Sequence, residues 1–287
     1  MITVEDLAFT YPGVSKPTLG GLNFQIEKGE IFGFLGPSGA GKSTTQNILI
    51  RLLAGYQGTV RIMGKELISW GPEYFENIGV SFELPNHYLK LTALENLSYF
   101  RSLYSGKTHN PEDVLEWVGL SDHGHERVAR FSKGMKIRLN VARSLIHKPK
   151  LLFLDEPTSG LDPVNADKIR RLVLELRSQG TTVFVTTHNM QLADDLCDRV
   201  AFINRGEIAT IDAPASLKQQ HGRRVLRVDY RDGADKRQMR EFSLDGLGDN
   251  AAFQELIKAP HRIETMHSEE ATLDKIFIEV TGNELMA

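Results

Sequence analysis

The sequence is poor in cysteine and has no excess of basic charge, and each scarcity excludes a class of protein. Cys197 is the only cysteine among 287 residues, which excludes an internal disulfide and a cysteine-rich zinc site. A reducing compartment suits such a chain. Acidic residues number 37 against 34 Lys and Arg, so the formal net charge of −3 provides no general basic surface for nucleic acid.

Long apolar runs are also missing. No apolar stretch approaches the ~20 residues that a membrane-spanning helix requires. The segment Met1–Asp6 carries acidic residues where a signal peptide would have basic ones, so we expect no signal peptide. Any role at a membrane must therefore come through a partner. The content of 41% apolar and 25% charged residues is typical of a globular protein with one large or two modest domains.

What the chain does contain is a glycine-rich motif at Gly36–Thr44 that fits the phosphate-loop pattern G-x-x-x-x-G-K-[ST]. The apolar run 31–35 before it predicts a buried strand, and apolar spacing after it predicts a helix over 43–53 that stops near Gly55. Glycines let successive N–H groups turn inward, and a helix N-terminus adds partial positive charge. A plain glycine-rich surface turn would not require the Lys-Ser pair that follows.

The motif assigns specific roles to its last residues. Lys42 would reach the β- and γ-phosphates of a nucleotide, and the Ser43 hydroxyl would ligate Mg²⁺. The residues assigned to nucleotide binding in this segment are Gly36, Pro37, Ser38, Gly39, Ala40, Gly41, Lys42, Ser43 and Thr44.

Two carboxylates follow a second buried run, Leu151–Leu154. Ligands of open α/β sheets bind at the carboxyl ends of the strands, so we expect Asp155 to hold Mg²⁺ beside Ser43. Glu156, one residue further, would orient or deprotonate the attacking water. A strand running into an acidic turn is the plainer alternative, and the upstream phosphate loop makes it the weaker one.

Hydrophobic patterning organises the rest of the chain. Between the strands, residues 85–147 are predicted to be mostly helical, with Thr92 and Ser132 as helix caps. From about residue 222 the pattern indicates a separate small α+β unit. The other predicted strands are 2–9, 22–26, 59–63, 78–82, 182–186, 200–203, 207–211, 225–230 and 262–266; the other predicted helices are 92–104, 133–146, 251–258, 272–280 and those beginning at 110 and 162.

Phe131–Met135, shortly before the carboxylates, resembles the signature of the ATP-binding-cassette (ABC) ATPases, and the resemblance covers about the first 210 residues. Tyr11 matches the aromatic residue that stacks on adenine in that family. Ser159–Asp162 matches the loop that crosses the dimer interface, and His188 matches the histidine that senses the γ-phosphate. Each match alone is weak, but six features in the right order and spacing are highly specific.

This resemblance implies a nucleotide sandwich of two copies, head to tail, with each ATP held between one phosphate loop and the other copy's signature. Residues implied to contact nucleotide in addition to the loop are Tyr11, Ser132, Gly134, Met135 and Asp162. Glu156 and His188 are the implied catalytic residues, Ser43, Glu83 and Asp155 the implied metal ligands, and ATP and Mg²⁺ the implied cofactors.

Three positions depart from the family pattern. Lys133 replaces the usual glycine and Met135 the usual glutamine of the signature, which removes an amide at the partner's nucleotide. Glu83 stands where the family has a glutamine that contacts Mg²⁺ and links to the membrane partner. A carboxylate still offers an oxygen ligand, so the hypothesis is a slower or more metal-dependent activity. A local shift that leaves Glu83 in a solvated loop is the alternative.

Two regions bear on partners. Residues 84–97 match the region where this family docks its transmembrane subunits, and an apolar patch there would comprise His87, Tyr88, Leu89 and Leu91. The same side chains could equally belong to the core of the helical subdomain. The tail 271–282 resembles that of drug- and antibiotic-export ABC ATPases, whose transmembrane subunits are separate chains; an ordinary amphipathic terminal helix is the alternative.

The sequence thus predicts an α/β P-loop ATPase core with an antiparallel β subdomain and a helical subdomain (about 85–147) in residues 1–220. A small C-terminal regulatory or dimerisation domain is expected at 221–287. The expected function is ATP hydrolysis that drives export through a separate transmembrane permease, with a second ATPase subunit, no nucleic acid, and a peripheral place on the cytoplasmic face of the membrane. The alternatives are a soluble ABC-type ATPase and an ATP-gated regulatory subunit with little hydrolysis.

Overall fold

The computed structural model describes residues 1–221, 225–258, 262–269 and 271–282. These divide into two compact units, 1–214 and 215–282. The division falls before the expected boundary at 220/221, because a helix, α7 (Pro214–His221), runs across that boundary.

The first unit contains ten strands and six helices within the described residues. The strands are β1 (Ile2–Phe9), β2 (Leu19–Ile26), β3 (Ile31–Leu35), β4 (Gln57–Ile62), β5 (Lys65–Glu66), β6 (Ile78–Ser81), β7 (Leu151–Asp155), β8 (Thr182–Thr187), β9 (Arg199–Asn204) and β10 (Glu207–Asp212). The helices are α1 (Lys42–Leu49), α2 (Ala93–Arg101), α3 (Pro111–Trp117), α4 (Lys133–Leu145), α5 (Pro163–Ser178) and α6 (Met190–Leu196).

A six-stranded sheet in the order β10-β9-β3-β8-β7-β6 positions the candidate site. Its pairs are parallel except β10 with β9. Every residue of β3 and β8 is buried, as expected for parallel strands covered on both faces. Parallel strands bring their carboxyl ends to one edge, so the segments that follow β3, β6, β7 and β8 meet there.

An antiparallel sheet in the order β2-β1-β4-β5 forms the predicted β subdomain. Alternating burial along β2 matches its alternating sequence. Between β6 and β7 lie α2, α3 and α4, which confirms the mostly helical segment. A reciprocal pair of hydrogen bonds between Thr92 and Glu95 begins α2, and the Ser132 side chain caps α4.

Helix α1 ends at Leu49, so the prediction of a helix to residue 53 is wrong. Arg51 adopts a left-handed φ of 63°, and the N–H groups of Leu52 and Leu53 both donate to the Asn47 carbonyl oxygen. These bonds close the helix one turn early. The apolar spacing that predicted a longer helix includes Leu52. In the structure Ile48 and Leu49 are core residues, but Leu52 lies beyond the helix and is 63% exposed.

The second unit pairs three strands in the order β12-β11-β13. Its elements after α7 are β11 (Val225–Arg231), β12 (Arg237–Ser243), α8 (Ala251–Lys258), β13 (Arg262–Glu269) and α9 (Leu273–Thr281). Strand β12 was not predicted from the sequence, because it is a polar edge strand in which only Phe242 is buried. Helices α6 and α7 were also missed; each has fewer than three turns of periodic pattern.

Among the described residues, no helix combines the length and the apolar character that crossing a bilayer requires.

Candidate functional site

The phosphate loop joins the end of β3 to the first turn of α1 in a conformation that its glycines make possible. Gly39 and Gly41 have φ of 79° and 112°, in the left-handed region that residues with a Cβ disfavour. At Gly36 the constraint is space, since a Cβ there would lie 2.2 Å from the carbonyl oxygen of Ile203 at the end of β9. The loop is thus pressed against a neighbouring strand.

Lys42 folds back over this loop. Its Nζ donates to the carbonyl oxygens of Gly36 at 2.6 Å and Pro37 at 3.0 Å. Burial lowers the pKa of Lys42, while the charges of Glu156, Asp155 and Glu83 act in the opposite direction. A mostly buried ammonium with neutral partners at hydrogen-bond distance suits an incoming phosphate, which would supply charge-assisted bonds.

Tyr11 lies beside the loop, just after β1. Its hydroxyl is 3.2 Å from Oγ1 of the buried Thr44, and its ring meets Phe9 edge-on with centroids 4.9 Å apart. Ser43, next to Thr44, is exposed in the first turn of α1. The structure therefore brings Tyr11 to the loop that the sequence motif identified.

Asp155 ends β7 on the same edge of the sheet. Its Oδ1 accepts a hydrogen bond of 2.5 Å from the hydroxyl of Thr186, which pairs with it on β8. Burial raises the pKa of Asp155, and the nearby charges of Glu156 and Glu83 raise it further against the opposing effects of Thr186 and Lys42. The site therefore concentrates negative charge that a cation would relieve.

Glu156 is held tightly by β8 and the residues after it. It has a left-handed φ of 46° and is 8% exposed. Its Oε1 accepts from the backbone N–H of His188 at 2.8 Å and lies 2.6 Å from His188 Nδ1, while Oε2 accepts from the Thr187 hydroxyl at 2.8 Å. The His188 ring is largely exposed, and its Nε2 has no hydrogen-bond partner within the described part of the chain.

Glu83 is an exposed residue just after β6. Its carboxylate nevertheless acts electrostatically on both Lys42 and Asp155. Glu83 thus lies within electrostatic range of the site while its side chain remains exposed.

The signature residues lie at the N-terminus of α4. The Ser132 hydroxyl accepts from the Met135 N–H at 3.2 Å. A Cβ on Gly134 would lie 3.3 Å from Leu161 Cδ2, so the signature adjoins the loop 159–162. Asp162 caps α5, and hydrogen bonds from Asn165 lower its pKa. Within one copy, no hydrogen bond among the described residues joins the signature to the phosphate loop, so the two halves of the predicted nucleotide site are separate elements.

The donor set fits Mg²⁺ held together with phosphates. Among the residues placed by the structure, no group of three or more His, Cys, Asp or Glu side chains is arranged to hold a metal alone. Mg²⁺ typically keeps waters and uses one or two carboxylates plus phosphate oxygens. The Asp155 carboxylate, the exposed Ser43 hydroxyl and the extra charge of Glu83 supply that kind of set.

The segment expected to dock a partner divides between core and surface. His87 is buried, its Nε2 lies 2.9 Å from the Lys136 carbonyl oxygen, and burial lowers its pKa to about 4. Tyr88 and Leu89 remain 48% and 50% exposed, and Leu91 is partly buried. Tyr88 lines an open groove of about 500 Å³ whose other exposed apolar residues are Leu52, Phe75 and Phe82.

Thr186 and Thr187 were not predicted from the sequence to belong to the site. They were recognised only as the end of a strand. The sequence does show two hydroxyl residues directly before His188, at the carboxyl end of a buried strand. It does not show which strand lies beside that one, and so it does not show which carboxylates the hydroxyls contact.

Two family models match the chain. The model described as "ABC transporter" matches residues 19–159, and "Fluoroquinolone efflux ABC transporter C-terminal domain" matches residues 224–270. The first covers the phosphate loop, the signature and both carboxylates. The second lies in the small C-terminal unit.

Curated relatives and solved structures agree with these matches. A fluoroquinolones export ATP-binding protein of Mycobacterium tuberculosis (strain H37Rv) is 53% identical over 99% of this chain and 94% of its own length. The bacitracin transport ATP-binding protein BcrA of Bacillus licheniformis is 33% identical over 97% of this chain and 90% of its own. A dimeric ATP-binding cassette in a post-hydrolysis state with ADP and Pi superposes with a TM-score of 0.68 at 27% identity, over 74% of this chain and 98% of that one.

The close approach of Gly36 to β9 generates a prediction. Gly36→Ala should lower ATP affinity at least about tenfold, because the new Cβ must push the loop away from the Ile203 carbonyl. Gly248→Ala is the matched control, since a Cβ there meets nothing within 4 Å and no left-handed φ is involved. Titration of each purified variant with a fluorescent ATP analogue measures the effect, with circular dichroism to verify folding. Equal affinities in a folded Gly36→Ala variant would contradict it.

Proposed function

This chain belongs to the ABC transporter ATP-binding family, and from that premise we propose that it is the ATP-hydrolysing subunit of an exporter whose transmembrane permease is a separate chain. One observation carries the proposal beyond ATP binding: Asp155 and Glu156 stand together at the sheet edge that holds Lys42, and all three interact electrostatically. A binding-only site would not need the second, tightly held carboxylate.

The proposed roles for nucleotide binding combine the family resemblance with the positions of these residues. Tyr11 stacks on adenine, and residues 36–44 surround the phosphates with inward N–H groups and the Lys42 ammonium. Ser43, Asp155 and Glu83 would hold Mg²⁺ with the phosphate oxygens. When bound, the metal neutralises charge on the phosphates and on the reacting γ-phosphoryl group.

In hydrolysis, Glu156 orients a water and takes its proton as the water oxygen bonds to the γ-phosphorus and the bond to ADP breaks. His188 holds Glu156 through its backbone N–H and its Nδ1–H. A contact from Nε2 to the γ-phosphate would require Nε2 to carry a proton as well, because phosphate oxygens only accept. Ser132, Gly134, Met135 and Asp162 of a second copy would complete the site. The dimeric cassette of similar fold supports this arrangement.

Export is supported by the relatives, which include fluoroquinolone-export and bacitracin-transport subunits, and by the fluoroquinolone-efflux match of the C-terminal unit. We propose that the exported molecule is an antibiotic-like compound and that the subunit is held at the cytoplasmic face of the membrane through the permease. Residues 221–287 would form a regulatory or dimerisation domain.

The open groove beside Tyr88 is the proposed docking site for a cytoplasmic helix of the permease. Leu52, Phe75, Phe82 and Tyr88 together present exposed apolar surface there. Phe82, in the groove, directly precedes Glu83, which is proposed to hold Mg²⁺. A helix docked in the groove would therefore contact the residue next to the nucleotide site.

An ATP-gated regulatory subunit with little hydrolysis is the second candidate. It is favoured by Glu83, which adds negative charge near Asp155, and by Met135, which lacks the amide of the usual signature. The firm placement of Glu156 and His188 favours the hydrolysing subunit.

Removing the proposed base tests the reaction. Glu156→Gln should still bind ATP but lose hydrolysis by at least about 100-fold, because the amide cannot take the water proton. The variant should accumulate as an ATP-bound dimer, which size-exclusion chromatography with Mg²⁺-ATP would detect. Glu112→Gln, an exposed site on α3, is the control. Hydrolysis by Glu156→Gln at the wild-type rate would refute the role of Glu156.

The extra carboxylate has its own test. In Glu83→Gln, hydrolysis at saturating Mg²⁺ should rise about two- to tenfold over wild type, because one negative charge near the phosphates is removed. The measurement is steady-state ATPase rate against free Mg²⁺ concentration. Unchanged rate and unchanged Mg²⁺ dependence would eliminate this role of Glu83.

Docking is tested with two exposed apolar positions. Phe75→Asp, in the groove, should abolish co-purification of a transmembrane chain from native membranes while leaving ATP binding intact. Ile68→Asp changes a 73% exposed residue outside the groove and should retain the partner. Equal recovery of the transmembrane chain with both variants would show that the groove is not the docking site.

A further inference from the structure

Strand β8 ends in two fully buried threonines that contact different carboxylates. The Thr186 hydroxyl reaches Asp155 and the Thr187 hydroxyl reaches Glu156. A third threonine at the other end of the strand, Thr182, is equally buried, but its Oγ1 accepts from the Gly29 N–H, away from the site.

The direction of the Thr187 hydrogen bond is determined by its surroundings. Its Oγ1 accepts from the Asn189 N–H at 3.0 Å, and its single proton is therefore available for Glu156 Oε2 at 2.8 Å. Thr186 is less defined, since three acceptors lie within 3.4 Å of its hydroxyl: Asp155 Oδ1, Gln46 Oε1 and the Leu154 carbonyl oxygen. Of the two hydroxyls, only that of Thr187 therefore has a single acceptor, which is Glu156 Oε2.

The Thr187 hydrogen bond limits the acceptor positions that remain open on Glu156. A carboxylate oxygen offers about two lone-pair positions. His188 occupies both positions on Oε1 with its N–H and Nδ1. Thr187 occupies one on Oε2, so a single position on Oε2 stays open. Without the Thr187 hydroxyl, Oε2 would have two open positions and no directional restraint.

We propose that Thr187 is a positioning residue for ATP hydrolysis, which fixes Glu156 Oε2 so that its one open lone pair receives the proton of the attacking water. The proposal rests on the proposed role of Glu156 as the base. Oxygen of that water bonds to the γ-phosphorus, the bond to ADP breaks, and the products are ADP and inorganic phosphate. Thr187 touches neither water nor nucleotide and acts through Glu156.

Three variants of the full chain separate this role from a packing role. Thr187→Val keeps the shape and removes the hydroxyl, Thr187→Ser restores the hydroxyl, and Thr182→Val removes an equally buried hydroxyl from the same strand. We expect Thr187→Val to lower kcat at least about tenfold with the KM for ATP within about twofold of wild type, because orientation and not binding is lost. Thr187→Ser and Thr182→Val should keep kcat within about threefold of wild type.

A second measurement uses the Glu156→Gln background. Adding Thr187→Val there should leave residual hydrolysis and the ATP-bound dimer unchanged, because the carboxylate it positions is already gone. Wild-type kcat in folded Thr187→Val, an equal loss in Thr182→Val, or a serine variant as slow as the valine one would overturn the inference. A wild-type chain that binds ATP but does not hydrolyse it, alone or with its co-purified permease, would overturn the proposed function itself.

Discussion

The parallel pairing of β3, β8 and β7 is the constraint on which the site depends. In this register Leu35 pairs with Thr187 and Asp155 pairs with Thr186. The phosphate loop therefore starts level with the two threonines, and the carboxylates stand on their other side. Displacing β8 by one residue would turn its side chains to opposite faces and separate each hydroxyl from its carboxylate. The hydroxyl–carboxylate contacts of the site therefore depend on that register.

Charge is the second theme of the site. Lys42 is buried with backbone carbonyls as its bonded partners, and three carboxylates act on it without forming an ion pair among the described residues. Such an arrangement would suit a phosphate and a cation, because buried charges are stabilised by charged partners. Binding of a nucleotide with its cation would thus reduce the repulsion among the carboxylates. Glu83 adds one more negative charge for the cation to neutralise. This links the departure at residue 83 to the chemistry of the whole site.

Local patterns explain what could be predicted. The phosphate loop, the caps at Thr92 and Ser132, and the buried runs of β3 and β7 could be predicted, because each depends on neighbours within a few residues. The end of α1 was misjudged, since apolar spacing cannot reveal that Arg51 turns left-handed. Strand β12 was not predicted, because an edge strand buries few of its side chains and its sequence remains polar.

The sequence by itself determined the family, the order of the motifs and the chemical type of each site residue, because these are properties of residue identity and spacing. Only the tertiary structure decided that Gly36 abuts Ile203, that His87 is core while Tyr88 is surface, and that Thr187 holds Glu156. Thr187 and Glu156 are 31 positions apart in the chain. Contacts at such separations arise from strand order and register, which many sequences with the same local patterns could satisfy differently.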